Sequence, residues 1–422
     1  MDTPYSSQNI GEYLYQAKAA LCGLLNYLAI IFLGLLIWIS VGLFVRFLRV
    51  KLGSKVKPSP KRAIIITGAT SGLGLALTKR YYRKGFTVFA AYFNDRESGY
   101  TELQELAANQ DAVGQSNKKG AKLHLVHMDV RSESSIDKAA TDIEAILKSS
   151  QTELYCVVSN AGLNNECFFE INNLENILQI IQTNLTGSVM VAKRFTLPII
   201  KSKGRIIMVS SSITYMISPL TPIYALTKAG IKNFADCLNE ALKPYGASCR
   251  CVCPGNLINK SNMVLTAARA FQDSLSRMNE EEKLLYKDAI EDNGTAMNKQ
   301  LLLRLNQMKE DPKRVAEVYG VDLKALKDRG FRFTISSSIK EWLISFLDGG
   351  EGGLSKKKTD VDEMGALTAF DQAICLRNPP KRCFPGNRFF QYIMGPLVAE
   401  YAPPIIIGVF CNLMEDRLRG RA

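Results

Sequence analysis

This sequence predicts an α/β fold, a parallel sheet covered by helices on both faces, preceded by one membrane-spanning helix. Three observations predict it. From residue 63 onward short apolar runs alternate with amphipathic stretches. The first of those runs opens directly into a glycine-rich turn. Residues 19–45 carry no charged side chain, a length sufficient to cross a hydrocarbon core of about 30 Å.

Residues 1–18 read as a short polar tail containing Asp2, Glu12 and Lys18. The run 19–45, interrupted mainly by Asn26 and Ser40, reads as a transmembrane helix. A cleaved signal peptide would have a shorter apolar region behind a basic leader, which does not fit this pattern. Trp38 and Phe44 stand where an interface near Arg46 would place aromatic rings. Seven Lys/Arg and no acid lie between Arg46 and Arg62, so 46–61 reads as a basic linker closed by Pro58 and Pro60. By the positive-inside rule, that flank puts the remainder of the chain in the cytosol. The formal net charge of +13 would suit nucleic acid or an anionic membrane surface. Its concentration beside the apolar run favours the membrane, and without a recognisable nucleic-acid module no nucleic-acid partner is expected.

Strands are predicted at 63–66, 87–91, 122–126, 155–159, 205–209 and 248–252. Helices fall between them, among them 73–84, 134–148 and 174–199. The first strand runs into Thr67-Gly68-Ala69-Thr70-Ser71-Gly72-Leu73-Gly74. Glycines let that backbone turn tightly and approach a pyrophosphate, whose charge the next helix N-terminus favours. Beyond Gly255 the alternation stops, and 261–346 read as helices with solvated charge runs such as Glu280-Glu281-Glu282-Lys283. Residues 348–365 are glycine- and charge-rich and predict a loop without fixed structure. The apolar stretch 401–414, broken by Pro403-Pro404, is too short for a second span; it suits a lid, an interfacial contact or ordinary core. The expected division is therefore 1–18, 19–45, 46–61, a domain at 62–257 and an extension at 258–422.

The strand at 205–209 is followed by Ser211, a Pro-containing loop, and Tyr224-Ala225-Leu226-Thr227-Lys228. Pro219 and Pro222 are expected to keep the loop non-helical, so that a helix begins near Tyr224. The i to i+4 spacing puts phenol and ammonium on one helical face, where a lysine cation lowers a tyrosine pKa. Tyr224 is then a candidate acid/base for an alcohol–carbonyl pair, with Ser211 bonding the same oxygen. An ordinary surface helix is the alternative. Cys249, Cys251 and Cys253 alternate along an apolar run and predict one face of a buried strand. With His124 and His127 the only histidines, His-based zinc sites and Ser-His-Asp triads are not expected, and no metal centre is predicted. Ten scattered cysteines suit a reducing compartment.

Taken in order, Thr67-Gly68-x-x-x-Gly72-x-Gly74, Asn160-Ala161-Gly162, Ser211, Tyr224-x-x-x-Lys228 and Pro254-Gly255 resemble the short-chain dehydrogenase/reductase family over roughly residues 62–257. The resemblance implies a Rossmann doubly wound sheet of about seven strands, with a helical, substrate-covering extension. It makes Tyr224 the proton donor or acceptor and Ser211 the residue that orients the substrate oxygen. Lys228 would bind the nicotinamide ribose and tune Tyr224, and Asn184 would hold a proton-relay water. Thr67, Gly68, Ser71, Gly72, Leu73 and Gly74 would cradle the cofactor, with Asp95, Ala161, Gly162, Pro254 and Gly255 beside it. Asp129 would contact adenine and Asn160 would support the sheet, although a loop cap or turn is the alternative for both.

The implied cofactor is NAD or NADP. NADP members set basic residues near the second glycine or just after the second strand, where this chain has Ser71 and Tyr92-Phe93-Asn94-Asp95-Arg96. Tyr92 takes the usual place of an NAD-selecting aspartate; Asp95 is placed for a ribose hydroxyl and Arg96 for a phosphate. The missing basic pair favours NAD. From Tyr224 onward the wording is similar to the branch of membrane-associated retinol and hydroxysteroid dehydrogenases and 3-hydroxybutyrate dehydrogenase. That branch implies a lipophilic, steroid- or retinoid-like alcohol, a possible homodimer, and an endoplasmic-reticulum or alternatively a mitochondrial membrane. The segment after Gly255 is longer here, with an insertion around 309–362. An NADPH-dependent reductase of 3-ketoacyl or sphingoid lipids is the alternative. A catalytically silent scaffold is a third, against which the complete set Asn184, Ser211, Tyr224 and Lys228 speaks.

Overall fold

The computed structural model describes residues 7–109, 120–164, 169–170, 172–215, 221–254, 263–287, 290 and 366–383. The chain divides into two units, Met1–Leu52 and Gly53–Ala422.

The first unit is one helix, α1 (Ser7–Leu52). Its stretch Ala20–Val45 has a mean hydropathy of 2.8 and none of it is buried, so by length and composition it can cross a membrane. Helix geometry leaves few polar groups unmet there: Ser40 Oγ donates to the Leu36 carbonyl at 2.7 Å. The helix continues through Leu52, so the first part of the expected linker 46–61 is helical. Leucine, lysine and arginine all favour helix, and the helix stops just before Gly53.

In the second unit seven strands form one sheet in the order β3-β2-β1-β4-β5-β6-β7, every pairing parallel. They are β1 (Arg62–Thr67), β2 (Thr87–Tyr92), β3 (Leu123–His127), β4 (Glu153–Ser159), β5 (Arg205–Val209), β6 (Ser248–Val252) and β7 (Arg382–Cys383). Helices α2 (Gly72–Lys84), α3 (Ser98–Ala108), α4 (Glu133–Ser149), α5 (Leu174–Ile180), α6 (Gly187–Lys201) and α7 (Pro222–Leu242) alternate with them. A parallel sheet covered on both faces needs strands apolar at successive positions, which is why these runs lack polar alternation. Ala63 and Ile65 accordingly enter one core with Ile136, Phe195 and Ile231. Ile64 and Ile66 enter the other with Leu77, Leu103 and Phe370. Cys249, Cys251 and Cys253 share the first core, the single face that their spacing predicts.

Three local differences from the sequence expectation have physical causes. The helix at 174–199 is interrupted by a π-turn, Ile181–Thr186, between α5 and α6. Helix α7 begins at Pro222, ahead of Tyr224, because the first helical position needs no N–H donor and suits proline's fixed φ. The sheet also does not end at the expected boundary of 257. After α8 (Met263–Arg277) and α9 (Glu280–Leu285), helix α10 (Ala366–Cys375) packs into the second core and β7 pairs with β6. Glu280, Glu281 and Lys283 are exposed, as expected of a solvated face, while half-buried Glu282 closes a capping box with Asn279. Residues 348–365 and 401–414, and the insertion around 309–362, lie outside the described residues.

Arg205 reaches from β5 to donate to the carbonyls of Ala373 and Leu376, at 2.8 and 2.7 Å. Asp371 of α10 accepts from Arg80 of α2 at 2.6 and 3.1 Å and from Tyr81 at 3.1 Å, and pairs with Lys84 at 2.5 Å. What remains of the linker after Gly53 is bound as a strap. Val56 N donates to the Cys375 carbonyl at 2.7 Å, and Arg377 N to the Ser54 carbonyl at 2.8 Å.

Candidate active site

Strand order runs outward from β1 in one direction and from β4 in the other, so a crevice opens between their carboxyl ends. The glycine-rich turn follows β1, and Asn160-Ala161-Gly162 follows β4. Thr67 joins them: its hydroxyl accepts from the N–H groups of Asn160 and Ala161, both at 2.9 Å. Asn160 Nδ2 donates to the Thr67 carbonyl at 2.9 Å. Asn160 is thus a turn clamp, holding the two loops at a fixed separation.

The turn itself admits only glycine at its tightest points. Gly68 adopts φ +64°, and a Cβ on Gly74 would stand 2.0 Å from the Gly68 carbonyl oxygen. Ser71 occupies the N-cap of α2 without a side-chain cap bond, and the first turn carries no acid. The N–H groups of Gly72, Leu73 and Gly74 therefore begin a helix N-terminus suited to a phosphate. A cradle closed to any Cβ and a helix end without its own cap fit the pyrophosphate of a dinucleotide.

The ends of β2 and β3 carry Tyr92, Asp95 and Asp129 beside that crevice. Asp129 is gripped by Arg131, which donates Nε to Oδ1 at 3.0 Å and Nη2 to Oδ2 at 2.9 Å. Burial pushes the Asp129 carboxyl up, but Arg131's hydrogen bonds outweigh this and hold it below its ordinary value. Arg131 also lies over the Phe93 ring, 4.7 Å from its centroid. Neither Arg131 nor Phe93 was singled out by motif; the pairing needs the ends of β2 and β3 side by side. Asp95 is exposed in the turn after β2, while Tyr92 packs against Tyr100 and His127 at 4.7 and 5.6 Å between ring centroids. Thr70, whose hydroxyl donates to Glu97 at 2.6 Å, is a further tie that no motif signals.

A second group of the expected site residues lies over β4 and β5. Asn184 is fully buried in the π-turn, where its Oδ1 accepts from Leu163 N at 2.7 Å and its Nδ2 donates to Leu163 O at 2.8 Å. Thr227 stands 3.4 Å from the same amide and donates to the Tyr224 carbonyl at 2.8 Å. Gly162 lies between the two polar helices: a Cβ there would be 3.2 Å from Asn184 Oδ1 and 3.5 Å from Lys228 Nζ. Lys228 Nζ donates to the Val209 carbonyl at 3.0 Å and stands 5.5 Å from the Tyr224 ring centroid. Burial lowers the Lys228 pKa to about 8.

Ser210 and Ser211 have different partners. The Ser210 hydroxyl is buried and donates to the Lys228 carbonyl at 2.8 Å. Ser211, half-buried, accepts from Ile213 N at 3.2 Å. Pro254 accepts from Ser212 N at 2.8 Å, and Gly255 lies outside the described residues. The structure thus brings Asn184, Gly162, Lys228 and Tyr224 into one cluster, with Ser211 one residue from Ser210, which is bonded into it.

A phosphate-cradling turn at the switch point of a parallel sheet, with tyrosine, lysine and asparagine over the neighbouring strands, defines a Rossmann-type nucleotide-binding fold. Residues 62–269 match the family model described as short chain dehydrogenase, and this part of the chain belongs to that family. Mitochondrial D-beta-hydroxybutyrate dehydrogenase of Bos taurus is 31% identical over 210 residues, 50% of this chain and 58% of its own length. The 17-beta-hydroxysteroid dehydrogenase type 2 of Homo sapiens is 28% identical over 241 residues, 57% of this chain and 58% of its own. The chain spans a little more than half the length of these relatives. A short-chain type dehydrogenase/reductase from Mycobacterium marinum aligns in structure with a TM-score of 0.40 at 22% identity, over 46% of this chain and 72% of its own.

Proposed function

We propose that this chain is a membrane-anchored oxidoreductase interconverting a lipophilic alcohol and its carbonyl. The observation that carries the reading is the cluster of Asn184, Gly162, Lys228 and Tyr224 across the crevice from a turn closed to any Cβ. A bound nicotinamide supplies or accepts the hydride. The chain's own residues handle the oxygen. The Tyr224 phenol gives a proton to it in reduction and takes one in oxidation, and the Ser211 hydroxyl donates a hydrogen bond to the same atom. Lys228 sits within reach of both the phenol ring and the loop after β4, where it binds ribose hydroxyls and keeps positive charge near Tyr224. Asn184 fixes the Leu163 backbone and so the floor of the site.

NAD is the proposed cofactor, because neither Ser71 nor Tyr92 offers a cation to a 2′-phosphate. The membrane reading rests on Ala20–Val45 and its basic flank, with the second unit on the cytosolic side of the endoplasmic reticulum, a homodimer being the proposed assembly. The full-length protein in detergent, offered retinoid, steroid and acyl alcohols with NAD and with NADP, tests the substrate and cofactor together. Tyr224→Phe is expected to lower turnover by about 10²–10⁴-fold while nucleotide binding persists. Unchanged turnover in that variant would overturn the reading, and a clear NADPH preference on keto-lipids would favour the reductase alternative.

A further inference from the structure

In a parallel sheet every helix-to-strand turn falls at one edge, opposite the crevice. The segments leading into the strands of this sheet are 53–61, 83–86, 120–122, 148–152, 201–204, 243–247 and 376–381. Each contains lysine or arginine, and among the described residues of these turns there is no aspartate or glutamate; Asp111, in the turn before β3, lies outside the described residues. The turns at the opposite edge are mixed, with Asp95, Glu97 and Asp129 beside Arg96 and Arg131. Among the described turns, positive charge is therefore concentrated at the end from which the strands start.

These segments are joined side by side into one face. Lys61 Nζ donates to the Ser150 carbonyl at 2.6 Å, Thr87 Oγ1 to the Pro60 carbonyl at 2.7 Å, and Ser202 Oγ to the Leu154 carbonyl at 2.6 Å. Ser248 N donates to the Gly204 carbonyl at 3.2 Å, and a Cβ on Gly246 would meet the Lys203 side chain at 3.5 Å. Lys61, Lys122, Lys148, Lys201, Lys203 and Lys243 are all exposed on it. The neighbouring acids among the described residues are Glu153, the first residue of β4, Asp371, which is engaged by Lys84, and Glu240, which is engaged by Lys243 and Lys381. Lys203 keeps its place at φ 50°, a conformation that favours glycine. The unit's own first residues, 53–61, form part of this edge, and the run Ala20–Val45 ends shortly before them in sequence.

We propose that this lysine-bearing edge is a docking surface for an anionic lipid bilayer. The inference rests on the membrane anchoring proposed above and adds what the anchor alone does not give, an orientation. Six exposed lysines on one face meet phosphate headgroups within a Debye length of about 8–10 Å. The crevice, at the other ends of the strands, then opens toward water, and substrate enters from the aqueous side.

The test uses the full-length protein in nanodiscs of phosphatidylcholine alone and of phosphatidylcholine with phosphatidylserine. Lysine acetylation is followed site by site by mass spectrometry. In the anionic discs Lys122, Lys148, Lys201 and Lys203 are expected to label about three-fold more slowly or less, with Lys283 unchanged and the difference lost in high salt. Lys201→Glu combined with Lys203→Glu should abolish the protection at Lys122 and Lys148 and leave turnover of a soluble alcohol unchanged. Equal labelling in both lipids would overturn the proposal. So would protection given by a soluble RNA homopolymer but not by the anionic discs, which would assign the face to nucleic acid. Failure of the protein to remain with either disc would instead count against the anchor.

Discussion

Lys228 is the side chain on which sequence and structure bear most differently. Its spacing from Tyr224 is plain in the sequence, but only the fold buries it against the Val209 carbonyl. Burial lowers its pKa from 10.5 to about 8. Between those values the unfolded chain binds the extra proton, so the stability of the ligand-free protein rises with pH across that window because of this group. Below about pH 8 both states carry the charge and the desolvation penalty is present in full. Lys228→Met is expected to flatten that rise, which denaturant titrations of both proteins from pH 7 to 10.5 would read; an identical slope would show that the ammonium is solvated. Asn184, placed by resemblance alone, turns out to be held through Leu163 and Thr227. Those partners were not legible, because backbone acceptors across a crevice leave no pattern in a sequence.

At the scale of elements, the apolar runs mark all six longer strands to within two residues, since burial on both faces keeps most of their positions apolar. The π-turn at Ile181–Thr186 was not legible. Its Thr183, Asn184 and Thr186 are weak helix formers but carry no pattern specific to a wider turn, which coincides with the Asn184 contacts to Leu163. Helix α10 is held by charge as well as by its apolar face. Burial pushes the Asp371 carboxyl up, but hydrogen bonds from Arg80 and Lys84 outweigh it and hold it below its ordinary value. Asp371→Ala is therefore expected to lower stability by about 2 kcal/mol, with the KM for nucleotide unchanged. Equilibrium unfolding in urea, set beside nucleotide kinetics, would check both halves; no loss of stability would mean that α10 is held by its apolar contacts alone.

For the whole molecule, the apolar helix and the sheet are separate units, and a cut between them should separate their properties. Removal of residues 1–52 is expected to release the protein from the membrane fraction while leaving the sheet intact. Removal of 1–61 should in addition lower its melting temperature by several degrees, because residues 54 and 56 hydrogen-bond to 377 and 375. Sedimentation with vesicles and thermal unfolding of the two truncations would distinguish these effects. The strap was read from composition as a linker, since lysine and proline at 46–61 say nothing of which backbone they will meet.

By itself the sequence determined the α/β class, six strands and their helices, the glycine turn, and the spacing of Ser211, Tyr224 and Lys228. Each of these is a local matter, set by side-chain periodicity, by glycine's freedom at positive φ, or by the pitch of a helix. The tertiary structure alone decided that Arg382–Cys383, some 130 residues after β6, would close the sheet. It also decided that Arg131 would take the Asp129 carboxylate and that scattered lysines would share one edge. Those outcomes depend on which distant backbones and charges are brought together, and a two-residue strand or a lone lysine has no period by which to announce its partner.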